Sequence, residues 1–74
     1  MTKAAFLAAY RKLCSSYGWA AKPDALDKFM ASVEASIRTN VSTWNFQTDM
    51  CNQAWHEIGG KGKVSLKALR ALAD

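Results

Sequence analysis

Large apolar side chains recur at steps of three and four residues through most of this 74-residue chain, and no segment alternates convincingly like a strand, which restricts the chain to packed helices. Phe6, Tyr10, Leu13, Cys14 and Tyr17 form the first stripe, with Thr2 as its cap and Gly18 as a left-handed stop. Trp19, just past that stop, is placed to fold back on Leu13 or Cys14 as in a Schellman ending. A second stripe, Leu26, Phe29, Met30, Val33 and Ile37, follows Pro23 and Asp24, which suit a helix start, and runs to a stop at Asn40. Cys51, Ala54, Trp55 and Ile58 point inward from a third helix that ends at Gly59-Gly60, and Ser65 caps a fourth carrying Leu66, Leu69 and Leu72. The expected fold class is all-α, a compact single-domain bundle of about four short helices over residues 3–17, 24–39, 44–58 and 66–73.

Length sets the next limit. A domain this small buries only about 60% of the surface its unfolded chain exposes, and thirteen of its apolar residues are alanine. The core is thin, which favours recognition on a helical face over a deep catalytic pocket, and also makes homodimerisation a way to enlarge it. No apolar run reaches the length needed to span a bilayer. The start MTKAAFLAAYRK mimics a secretory signal, but Arg11 and Lys12 interrupt it, so no signal peptide is expected and the cytoplasm is the expected compartment. The sequon-like Asn40-Val41-Ser42 is then idle. Cys14 and Cys51 both fall on apolar stripes, where two buried thiols are expected ahead of a disulfide. A single histidine, His56, and no CxxC pair leave too few soft ligands for structural zinc, and no metal or cofactor is expected.

Charge is segregated along the chain. Residues 1–22 carry +4, residues 23–60 carry −3 and residues 61–74 carry +3, within a net +4. If the first and last helices are neighbours, Arg11, Lys12, Lys61, Lys63, Lys67 and Arg70 merge into one positive face suited to phosphates. The run Gly59-Gly60-Lys61-Gly62-Lys63-Val64-Ser65 superficially resembles a phosphate-binding loop but lacks both the leading glycine and the hydroxyl directly after Gly-Lys. Its glycine N–H groups and two lysines still suit a phosphate oxygen, against the simpler reading of a flexible connection. A helix-turn-helix at residues 48–73 fits poorly, because the turn is too long and Trp55 is too bulky for close helix approach.

Nothing converges on catalysis. Cys51 and His56 are five apart, about 140° round a helix, and His56-Glu57 lacks a second histidine one turn on. His56 reads as a surface residue beside Trp55. Trp44, Phe46 and Trp19, with Met50 nearby, fall at helix ends where exposed aromatics anchor protein partners. The expected function is therefore a non-enzymatic regulatory or accessory protein that docks its basic face on nucleic acid or a nucleoprotein complex, without membrane contact. The alternative is a protein-interaction module or inhibitor of the kind mobile elements encode, using Trp44, Phe46 and Trp19.

Overall fold

Four helices make up the computed structural model, which describes residues 1–19, 26–39 and 46–74. They are α1 (Lys3–Ser16), α2 (Leu26–Thr39), α3 (Phe46–Glu57) and α4 (Leu66–Arg70), and the described residues contain no strand. The expected starts of the second and third helices, with Pro23, Asp24 and Trp44, and the stop at Asn40 lie outside the described residues.

Local chemistry sets the helix ends. The Thr2 hydroxyl accepts from the Ala5 N–H at 3.0 Å, and the Ser65 hydroxyl accepts from Ala68 at 3.1 Å, each satisfying one of the donors that a helix start leaves orphaned. Gly18 (φ +75°) and Gly59 (φ +97°) end α1 and α3 in paired Schellman geometry. Gly18 and Trp19 donate to the carbonyls of Ser15 and Cys14, as Gly59 and Gly60 donate to those of His56 and Trp55. The Trp19 backbone N–H bonds back to the Cys14 carbonyl at 2.9 Å, and its ring finds aromatic partners as well. It stands edge-on to Tyr10 (6.3 Å between centroids) and Phe46 (5.1 Å), because larger aromatic partners are within its reach.

The core lies between α1 and α3, with α2 packed on α3. Phe6, Tyr10 and Cys14 from α1, Phe29 and Val33 from α2, Met50, Cys51 and Ala54 from α3, and Val64, Leu69 and Leu72 from the tail are buried together. Met50, grouped with the exposed aromatics on sequence grounds, is a core residue. Phe29 joins α2 to α1 through Tyr10 (4.8 Å) and Phe6 (6.2 Å). Both cysteines are free and buried. Burial, together with the neighbouring Cys14, pushes the Cys51 thiol up to about 12, and burial also raises Cys14 and the Tyr10 hydroxyl.

The last helix is shorter than the expected 66–73. It ends at Arg70, and the chain then straightens so that the Ala73 carbonyl accepts the Lys3 N–H at 2.8 Å and residue 73 pairs with Thr2 in an isolated parallel bridge. The Lys3 N–H is an orphan donor of the first turn of α1, and satisfying it competes with a further helical turn at the end of the chain. The two ends of the sequence therefore meet, and Lys3 also pairs with Asp74 at 2.8 Å.

Candidate functional site: the α3–α4 loop and the aromatic groove

Residues 59–65 form a loop that is tied to α3 by side-chain hydrogen bonds. Asn52, Trp55 and His56 lie at i, i+3 and i+4 on α3 and so share one face of the helix. All three reach the loop. The Trp55 indole Nε1 donates to the Lys61 carbonyl at 3.1 Å, His56 Nε2 meets the Gly62 carbonyl at 2.5 Å, and the Asn52 carbonyl oxygen accepts the Val64 N–H at 2.8 Å. Because a carbonyl only accepts, the contact with Gly62 fixes the His56 proton on Nε2. Asn52 is itself oriented by donating to the Thr48 carbonyl at 3.2 Å.

Two glycines make the path possible. Gly62 adopts φ +69°, and Gly60 lies so close under the Trp55 indole that a Cβ there would fall 2.2 Å from Cε2. The loop's polar backbone thus turns toward α3, while Lys61, Lys63 and Lys67 are exposed. None of the three has a carboxylate partner among the described residues.

The other expected cations are placed differently. Arg70 pairs with Glu34 of α2 at 2.7 Å, and Arg38 pairs with the second oxygen of the same carboxylate. Glu34 thus lies between two guanidinium groups, an arrangement hidden in sequence because Glu34 and Arg70 are 36 positions apart. Arg11 is exposed but already engaged, and Lys12 is exposed on α1. Of the six expected cations, Lys12, Lys61, Lys63 and Lys67 are thus exposed without a carboxylate partner among the described residues, whereas Arg70 shares Glu34 with Arg38.

A second feature occupies the other end of α3. Tyr17 and Trp19, just past α1, meet Phe46 at the first turn of α3, with ring centroids 6.0 and 5.1 Å from Phe46 and ring planes at 86° and 82° to it. With Gln47 these residues line an open groove of about 370 Å³, and Tyr17 and Trp19 remain 61% and 42% exposed. Of the expected interface residues, Trp19 and Phe46 are brought together, and Trp44 lies outside the described residues. Tyr17 and Gln47 complete the groove. Tyr17 carried a signal in its position at a helix end, whereas Gln47 carried none.

Among the described residues no helix is long and apolar enough to cross a membrane, and no group of three or more His, Cys, Asp or Glu is disposed to hold a metal ion. No protein-family model, curated protein or solved structure matches the chain.

Proposed function

We propose that this protein is a non-enzymatic nucleic-acid-binding module that sets the α3–α4 loop against the phosphate backbone. The observation that carries this reading is the loop clamped by Asn52, Trp55 and His56, with Lys61, Lys63 and Lys67 exposed and without a carboxylate partner among the described residues. A flexible lysine loop would lose much of its conformational freedom on binding. This one is held before binding, so more of the electrostatic gain is realised as affinity. Lysine acts here as a point charge and positions phosphates without reading bases, so the binding is independent of sequence.

The test is a titration of the full chain against a short DNA duplex over a range of salt concentrations. Three phosphate contacts give a slope of log K against log salt of about −2.7, and each Lys→Gln replacement at 61, 63 or 67 reduces its steepness by about 0.9. Absent binding at low salt, or a slope indifferent to all three replacements, overturns the reading.

A further inference from the structure

The aromatic groove between the end of α1 and the start of α3 has a geometry that the backbone-binding role leaves unused. The Tyr17 and Trp19 rings each stand nearly perpendicular to Phe46 in edge-to-face pairs, and the three rings line a groove that is open to solvent. Ring faces carry the negative part of the aromatic quadrupole and attract cations.

Among the described residues, the parts of α1 and α3 that border the groove have the matching sign, and the nearest cation on α2 is Lys28, one turn before Ser32. α1 ends here with the negative pole of its dipole and with no Lys or Arg in its last turn. Asp49 sits one turn along α3 from Phe46. Gln47, the polar lining residue, is an uncharged amide whose nitrogen donates to Ser32 at 3.0 Å. On α1, Arg11 and Lys12 lie about 120° and 140° round the helix from the Tyr17 position.

We infer that the groove lined by Tyr17, Trp19, Phe46 and Gln47 binds a quaternary ammonium head group carried on a small molecule. The groove volume of about 370 Å³ is at the small end of the range for ligand pockets, about 300–1,000 Å³. A bare ammonium is too strongly hydrated to leave water for an open aromatic corner. A methylated one spreads the same charge over a larger, weakly hydrated sphere that can touch several rings at once.

The experiment follows the tryptophan indole N–H signals of the intact protein by NMR while choline is added. A parallel titration uses 3,3-dimethylbutan-1-ol, which has the same shape but no charge. Choline is expected to shift the Trp19 signal to saturation, with the neutral isostere at least threefold weaker. The Trp55 signal, held on Lys61 at the other end of α3, serves as a stationary reference. Tyr17→Leu, at a residue 61% exposed, is expected to weaken choline binding about threefold or more without disturbing the fold.

A peptide bearing trimethyllysine is the third arm. Tighter binding there keeps the head-group chemistry and assigns its carrier to a protein side chain. Equal binding of choline and the neutral isostere overturns the inference and makes the groove a site for an apolar group, such as a side chain of a partner protein. Absence of any Trp19 shift with all three probes also overturns it.

Discussion

Gly60 offers a sharp test of whether the α3–α4 loop is built as described, because its replacement by alanine perturbs one contact. An alanine Cβ would fall 2.2, 2.3 and 2.5 Å from Cε2, Cδ2 and Nε1 of Trp55, against an ordinary carbon separation of about 3.5–4.0 Å. The indole must retreat by more than an ångström, and its 3.1 Å hydrogen bond to the Lys61 carbonyl cannot survive that movement. Forced repacking costs about 1–3 kcal/mol and the lost hydrogen bond about 0.5–1.5 kcal/mol. Against this, the lower entropy of an unfolded alanine returns about 0.4–1 kcal/mol, since Gly60, unlike Gly59, has no left-handed backbone that alanine would resist.

The net loss is about 2 kcal/mol, or roughly 8–16 °C in Tm for a domain of this size. Thermal and urea unfolding followed by circular dichroism measure it. The decisive comparison repeats the substitution in a Trp55→Ala background, where the clash is gone and Gly60→Ala is expected to be neutral or slightly stabilising. An equal cost in both backgrounds would refute the assignment of Trp55 as the residue that covers the loop.

Three further outcomes follow from the same contacts. Glu34→Gln releases Arg38 and Arg70, so stability falls by no more than about 1 kcal/mol, as befits exposed guanidinium partners, while the salt slope of duplex binding steepens by about 0.9 as Arg70 becomes available. Cys14, Cys51 and Tyr10 all have raised pKa values in the folded state, so the unfolded chain ionises first. Their stabilising contribution is intact well below the ordinary values, 9.0 for the thiols and 10.0 for the phenol, and declines as pH rises through them, by at most about 1.4 kcal/mol per pH unit for each group. Urea melts at pH 8 and pH 10 should show the decline, and both thiols should react with a disulfide reagent at pH 8 only at the rate of opening. Asn52→Ala strands the buried Val64 N–H and costs about 1–3 kcal/mol, yet it leaves every lysine in place. Weaker duplex binding with an unchanged salt slope is therefore expected, and a changed slope would show that the clamp alters charge rather than order.

What the sequence disclosed follows from the range of each interaction. Thr2, Ser65, Gly18 and Gly59 act within three or four residues of themselves, so their roles as caps and stops were legible from spacing. The early end of α4 was not, because the competing acceptor is Ala73 and its donor is Lys3 at the other end of the chain. The same reason hid the engagement of Arg70, since no local pattern announces that Glu34 will meet it. The loop clamp lies between these cases. Asn52, Trp55 and His56 sit at helical spacing just before a Gly-Gly stop, and three hydrogen-bonding side chains on one face are a readable hint that the following loop turns back.

α3 explains how a chain with so little core can carry two surfaces. Its inward face supplies Met50, Cys51 and Ala54 to the core, so the helix is held along its length by burial rather than by either end. Its first turn contributes Phe46 and Gln47 to the aromatic groove, and its last two turns supply the three side chains that shape the lysine loop. Among the described residues the groove and the clamp share no side chain, Asn52 of the clamp lying about 9 Å of helix from Phe46 of the groove. Substitutions at Tyr17 and at Lys63 should then add independently, within about 0.5 kcal/mol, in stability and in each binding measurement. Coupling well above that would mean that α3 shifts as a unit between two positions, and that occupancy at one end is transmitted to the other through the packing of Met50, Cys51 and Ala54.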